Sequence, residues 1–186
     1  MTPHRFDARN KDKLVDGERQ RIQPAEDIVR RANPSGNEIW ADIGCGVGYI
    51  TLPLSRSVRF VVAVDSQREM LTTLISRANA KECRKILPVV SELPLLPIQS
   101  GILDQVAVVN VLHEIEDKKM LVSEIIRTLK VGGRATLVDF QKAPTSFGPP
   151  VQERIEESKI PVLFRVMRVV AHWSFPEFYQ FEFERK

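Results

Sequence analysis

The stretch Ile39–Thr51, IWADIGCGVGYIT, limits what this chain can fold into more than any other. Trp40, Ala41 and Ile43 around Asp42 have the apolar density of the end of a buried parallel strand. Gly44, Gly46 and Gly48 follow at alternate positions. Without a Cβ the backbone there can turn sharply and come close to a ligand. Strand, glycine loop and helix in that order build a nucleotide pocket in doubly wound α/β proteins, outside the carboxyl ends of the strands.

The flanking sequence repeats the same alternation. Pro24 can open a helix, and Ala25, Ile28, Val29 and Ala32 share one of its faces, with Asn33-Pro34-Ser35-Gly36 ending it. Tyr49–Arg56 begins a helix in which Pro53 is tolerated near the first turn. Phe60–Val64 is a continuous apolar strand ending in Asp65, followed by a helix over Gln67–Ala80 whose Met70 reads as core. Ile86–Val90 is a third strand and Asp104–Asn110 a fourth. The spacing predicts a helix over Asp117–Leu129 with Met120, Leu121, Ile125, Ile126 and Leu129 inward, closed by Gly132-Gly133. Arg134–Phe140 is a fifth strand. A short helix is expected around Val151–Ser158, then two strands, Arg165–Trp173 and Phe178–Glu184, as an antiparallel hairpin. The fold class is therefore α/β: a doubly wound, mostly parallel seven-stranded sheet with a C-terminal antiparallel hairpin and helices on both faces.

Length and composition agree with one domain over residues 1–186. Within it, 1–23 reads as an arm or lid, 24–140 as the ligand-binding core, and 141–186 as a short helix plus hairpin completing the sheet. The 27 basic and 24 acidic residues nearly balance, a net charge of +3 that permits contact with anions without requiring nucleic acid. No window approaches a membrane span, and the charged start lacks the apolar core of a signal peptide, so a cytoplasmic location is expected. Cys45 and Cys83 form neither a disulfide framework nor a zinc spacing, and no metal is expected.

Gly48 is followed by Tyr49-Ile50 and not by the Lys-Ser/Thr of a P-loop, so that phosphate cradle is excluded. The dinucleotide fingerprint fails as well, because Tyr49 occupies the slot of its third small residue. Asp42 would repel a pyrophosphate but could accept hydrogen bonds from an ammonium. A ligand without phosphates and with a cationic end fits these residues.

Taken together, DIGCGVGY, FVVAVDSQREML, SELPLLPIQSGILDQVAVVNVLHEI and LKVGGRATLVDF resemble the motifs of class I S-adenosylmethionine-dependent methyltransferases, from about Asn37 to Phe140. The arm HRFDARNKDKL and the later GPPVQERI look like a small-molecule-type subgroup. The resemblance implies a Rossmann-like fold and S-adenosyl-L-methionine as cofactor. It implies that Asp42 faces the cofactor's amino group, that Gly44, Cys45, Gly46 and Gly48 shape the turn beside it, and that Asp65 accepts the ribose hydroxyls. Ser66, Glu92 and Leu93 would lie at the adenine, and Asn110 at cofactor or channel. Glu92 reads equally well as a solvated loop acid, and Cys45 as an ordinary small residue.

Methyl transfer from a sulfonium is an in-line displacement governed by alignment, and a general base is needed only where the acceptor must lose a proton. His113, just past the fourth strand, is the candidate base, with pocket-shaping as its alternative role; Glu114 beside it reads as a salt-bridge residue. Asn110 is followed by Val111-Leu112, which lacks the Pro-Pro-aromatic motif of exocyclic-amine methyltransferases. The absence of a basic domain argues against RNA. The expected partner is a small-molecule acceptor, with no membrane insertion. A non-catalytic cofactor-binding subunit or sensor, or an RNA or protein methyltransferase, is the alternative. Arm residues Phe6–Leu14 are expected to close over the ligand. Pro161 interrupts the late helix, and Val162, Leu163 and Phe164, if exposed, would offer a homodimer contact.

Overall fold

A computed structural model describes residues 17–186. The expected lid residues Phe6–Leu14 lie outside the described residues. Two compact units divide the described chain, one spanning 17–92 and the other Leu93–Lys186. The described strands form a seven-stranded sheet in the order β3-β2-β1-β4-β5-β7-β6.

The first unit contains α1 (Gly17–Ile22), α2 (Ala25–Ala32), β1 (Ile39–Ile43), α3 (Thr51–Ser55), β2 (Phe60–Asp65), α4 (Arg68–Ala80) and β3 (Ile86–Val90). Helix α2 buries Ala25, Ile28, Val29 and Ala32 and ends at Asn33 in the left-handed region, φ 52°, which asparagine tolerates better than most residues. β1 pairs in parallel with β2, and β2 with β3. Trp40, Ile43, Leu54, Met70 and Leu74 are fully enclosed. β3 is the edge strand, and Leu87 and Val90 on it are exposed.

The second unit contains β4 (Leu103–Val109), a 3-10 turn at Leu112–Glu114, α5 (Lys118–Thr128), β5 (Leu129–Phe140), α6 (Ile160–Leu163), β6 (Met167–Ser174) and β7 (Phe178–Arg185). β4 and β5 are parallel, while β7 runs antiparallel to both β5 and β6. The expected hairpin is present. Its aromatic run FYQFEF fails to alternate because β7 lies between two strands and is buried from Phe178 to Phe183. Phe164 stacks on Phe183 at 4.5 Å, fixing α6 against the hairpin. Buried Thr136 donates to Glu182 at 2.7 Å and Gln180 to the same carboxylate at 2.8 Å, so the β5–β7 register places paired polar groups opposite one another.

Three expectations need correction. Helix α5 ends at Thr128, and Gly132-Gly133 lie inside the β5 strand. Pairing jumps there from Leu103↔Leu129 to Gln105↔Arg134. A Cβ on Gly133 would come within 2.9 Å of the Lys130 carbonyl oxygen and 3.0 Å of the Asp104 carbonyl oxygen, so the pair permits an irregularity in the sheet and does not cap a helix. Second, Met120 is 42% exposed and Val122 takes its place on the buried face, because the apolar stripe is turned by one residue. Third, the short helix expected around Val151–Ser158 is no continuous α-helix: two three-residue 3-10 helices, Val151–Glu153 and Glu157–Lys159, lead into four-residue α6. Pro161 initiates α6 where it was expected to interrupt a helix. Of the three residues expected at the surface, Val162 is exposed, Leu163 is half-buried and Phe164 is enclosed.

Candidate active site

The glycine loop is held by main-chain bonds from the neighbouring strand. The amides of Gly44 and Cys45 both donate to the Val64 carbonyl, at 2.8 and 3.0 Å. Gly44, Gly46 and Gly48 have φ of 68°, 53° and 87°, a region that side-chain-bearing residues rarely adopt. At Gly48 a Cβ would also lie 2.3 Å from Leu74 Cδ1, so the loop can pack onto α4 only without a side chain there.

Asp65 closes β2 and organises this turn. Its Oδ2 accepts the Gly46 amide at 2.8 Å and its Oδ1 the Gln67 amide at 2.9 Å. An ionised carboxylate has about four acceptor positions, so hydroxyl donors can still be accommodated. Ser66 beside it is half-buried. The Ser91 amide donates to the Asp65 carbonyl at 3.1 Å, which brings the end of β3, and exposed Glu92 after it, toward the same acid. Half-buried Leu93 begins the second unit.

Asp42, next to last in β1, is 2% exposed. Thr51, at the start of α3, donates its hydroxyl to Asp42 Oδ2 at 2.5 Å. Burial raises the Asp42 carboxyl to about 6, against the lowering effect of the Thr51 bonds and the Arg19 charge; Asp65 pushes in the same direction as burial. Its hydrogen-bonded neighbour is neutral, so the acid is desolvated without full compensation and gains from an incoming cation. Cys45 behaves as expected of a small residue: burial and the two acids push its thiol far up, and its Sγ contacts the Gly46 carbonyl. Such a thiol is not a nucleophile.

Tyr49, the residue that spoils the dinucleotide fingerprint, has a structural use. Its hydroxyl donates to the Gln23 carbonyl at 2.7 Å and lies 2.9 Å from Gln20 Oε1, and the Arg19 guanidinium sits 3.9 Å above its ring. The glycine loop thereby holds α1. Sequence reasoning missed both Thr51 and Arg19; a hydroxyl nine residues after an acid and a basic residue in a polar arm carry no distinctive signal.

The second unit contributes a side-chain pair. Asn110 follows β4 with φ 58° and donates its amide to Val138 at 2.8 Å. The turn Leu112–Glu114 then buries His113, which is 4% exposed. Its Nδ1 lies 2.7 Å from Asp139 Oδ1, and its backbone amide donates to Asp139 Oδ2 at 3.2 Å. Asp139, at the end of β5, is fully buried and also accepts the Phe140 amide at 2.9 Å. Burial lowers the His113 imidazole, but the charge and hydrogen bond of Asp139, with the charges of Glu114 and Glu153, outweigh it and raise it above its ordinary value. Asp139 was not singled out from sequence. Its signal was nonetheless there, since an acid stands at or next to the end of an apolar strand three times, in IWAD, FVVAVD and TLVD.

A separate surface cleft of about 660 Å³ in this unit includes Gln141, Glu157, His172 and Ser174. There Gln141 and Ser174 donate to Glu157 at 2.8 and 2.9 Å, and His172 pairs with the same carboxylate. These groups satisfy one another and pin the Glu157–Lys159 turn to β6. Among the described residues, no helix is long and apolar enough to cross a membrane.

A family profile described as a methyltransferase domain matches residues 41–137, just over half of the chain. The chain belongs to the methyltransferase-domain family. It is 30% identical over 105 residues to the ubiquinone/menaquinone biosynthesis C-methyltransferase UbiE of Wigglesworthia glossinidia brevipalpis, covering 54% of this chain and 42% of that one. It is 31% identical over 98 residues to the uncharacterized methyltransferase YcgJ of Bacillus subtilis, covering 53% and 39%. The chain thus spans about two fifths of the length of these relatives. A crystal structure of an S-adenosylmethionine-dependent methyltransferase from Aquifex aeolicus superposes with a TM-score of 0.90 at 20% identity, covering 98% of this chain and all of that one. The matched family segment includes Asp42, the glycine loop, Asp65, Asn110 and His113, and stops two residues before Asp139.

Proposed function

We propose that this chain is an S-adenosylmethionine-dependent methyltransferase acting on a small-molecule acceptor. The observation that carries the reading is the pair of buried acids, Asp42 and Asp65, on either side of a glycine loop whose Gly46 amide is bonded to Asp65. The residues fit the cofactor. Asp42, desolvated beside a neutral hydroxyl, suits an ammonium, and Asp65 has acceptor capacity for ribose hydroxyls. Gly44, Cys45, Gly46 and Gly48 give the backbone approach, Ser66, Glu92 and Leu93 serve the adenine, and Asn110 serves the cofactor or the acceptor channel. The bound cofactor supplies an activated methyl group. The chain's own contribution is to orient the two reactants and, through His113, to take a proton from the acceptor.

Titration calorimetry with S-adenosylmethionine and S-adenosylhomocysteine tests the reading. Saturable one-to-one binding of both is expected. Binding of NADH with no response to either sulfur ligand would remove it. Product profiling by mass spectrometry with labelled methyl donor then separates an enzyme from a silent binding subunit.

A further inference from the structure

We infer that Asp139 is a positioning residue that fixes His113 with its proton on Nδ1 and leaves Nε2 as a proton acceptor for a protic substrate. The inference rests on the reading of His113 as the acceptor-side base and adds how that base is built and which acceptors need it.

The argument is geometric. An ionised carboxylate can only accept, so the 2.7 Å contact with Asp139 Oδ1 requires the hydrogen on Nδ1. Oδ1 of Asp139 also accepts the Phe140 amide, and Oδ2 accepts the backbone amide of His113, so both oxygens are tied to the main chain. The carboxylate therefore cannot swing away from the ring. The ring is also set edge-on to Phe140, with centroids 5.9 Å apart. Nε2 differs from Nδ1: among the described residues its nearest charged neighbour is Glu114 Oε1 at 3.8 Å, too far for a hydrogen bond. One nitrogen is locked and the other keeps its lone pair.

The charges around the ring favour the same outcome. Asp139 faces it from β5, Glu114 from its own turn and Glu153 from the Val151–Glu153 turn. The cations nearby, Lys118 and Arg154, act on Asp139 and are committed elsewhere: Lys118 donates to the Ile115 carbonyl at 2.6 Å, and Arg154 to the carbonyls of Pro149, Gln141 and Ala143. An imidazolium formed at His113 is therefore surrounded by acids, which stabilises it after a proton is taken. In the reaction the acceptor's O–H or N–H bond breaks, and its proton goes to Nε2. The electron pair left on the acceptor forms the new bond to the methyl carbon as the donor's bond to that carbon breaks. Acceptors whose nucleophilic atom has no proton to lose, such as thioethers or tertiary amines, have no use for this arrangement; hydroxylated or enolic molecules do.

The test reads the imidazole itself and needs no acceptor. Nitrogen-15 NMR of His113 should show the neutral form protonated at Nδ1 in the wild-type protein, with a titration midpoint above that of an ordinary histidine. Asp139→Asn, with its carbonyl oxygen in the place of Oδ2, keeps the backbone contact with His113 and offers an N–H to the ring, at the cost of the Phe140 contact. In that variant the midpoint should fall by at least about one pH unit, and the neutral proton should move to Nε2. The melting-temperature gap between the two proteins should shrink as pH rises through the wild-type midpoint. This sign follows from a folded-state value raised above the unfolded one: the ion pair stabilises fully at low pH and is lost when the ring deprotonates. A wild-type neutral form protonated at Nε2 would overturn the proposal even if the variant failed to fold. So would a midpoint unchanged in Asp139→Asn, which would leave Asp139 as a mere tether. S-adenosylmethionine affinity should be the same in both proteins; its absence in the wild type would refute the cofactor reading while leaving the dyad standing.

Discussion

Asp42 and Asp139 begin from the same sequence pattern, an acid next to last in an apolar strand, and both are almost completely buried. Their partners set them apart. Asp42 is bonded to a hydroxyl, which cannot carry charge, and its carboxyl is pushed up to about 6. Asp139 is bonded to an imidazole, and its charge and hydrogen bond raise His113. A buried carboxylate with a neutral neighbour gains from a cation supplied by a ligand, whereas one with a basic neighbour has its cation built in. The first arrangement suits binding and the second suits proton transfer.

The strongest challenge to this contrast is at the third acid. Asp65 accepts two amides, so Asp65→Ala removes both loop bonds and any acceptor for ribose hydroxyls. Two charge-assisted hydrogen bonds are worth roughly 3 kcal/mol together, and S-adenosylmethionine affinity should fall on the order of 100-fold by calorimetry. Affinity within twofold of the wild type would mean that the glycine-loop unit does not bind the cofactor through its acids.

How much of this was legible in the sequence follows from which interactions are local. The strands and most helices were readable because apolar runs and helical spacing report burial directly. The left-handed stop at Asn33 and the turn at Gly44–Gly48 were readable because few residues tolerate those backbone angles. Gly132-Gly133 misled, since a helix stop and a strand irregularity ask for the same residue. Val151–Ser158 misled because short 3-10 turns held by Arg154 and Glu157 depend on distant carbonyls and side chains. Among the candidate site residues, Asp42, Asp65 and His113 were visible as polar residues at or just past strand ends. Asp139 escaped notice because its meaning depends on a histidine 26 positions away, which only parallel pairing of β4 with β5 brings near.

Asp42→Asn sharpens the contrast with opposite effects on stability and binding. A folded-state value raised from 3.8 to about 6 means the wild type loses stability as pH climbs through that window, then stays level. The loss is worth at most roughly 3 kcal/mol. The amide has no charge to desolvate and can still accept the Thr51 hydroxyl. The ligand-free variant should therefore melt several degrees above the wild type at pH 7.5, with the two curves converging near pH 4. Its cofactor affinity should drop about tenfold at pH 7.5, a loss of about 1.4 kcal/mol. In the wild type, affinity should weaken below about pH 6 as the acid takes up a proton, and in the variant that pH dependence should vanish. A variant no more stable than the wild type would mean that Thr51 and Arg19 already compensate the charge.

The mildest change tests whether that compensation reaches Asp42 through α1. Tyr49→Phe keeps the ring beneath Arg19 but removes the hydroxyl that bonds Gln23 and approaches Gln20. The lost bond costs about 1 kcal/mol, since the buried carbonyl it served is left without that donor. Hydrogen exchange over Gly17–Ile22 should speed up several-fold while the strands stay protected. If Arg19 is then less firmly held, its lowering influence on Asp42 weakens and the Asp42 carboxyl rises further, so the onset of weaker cofactor binding should move to higher pH. Faster exchange without that movement would show that α1 is anchored by the loop but has no electrostatic part in the site. Unchanged exchange would show that the stacked guanidinium alone holds the helix.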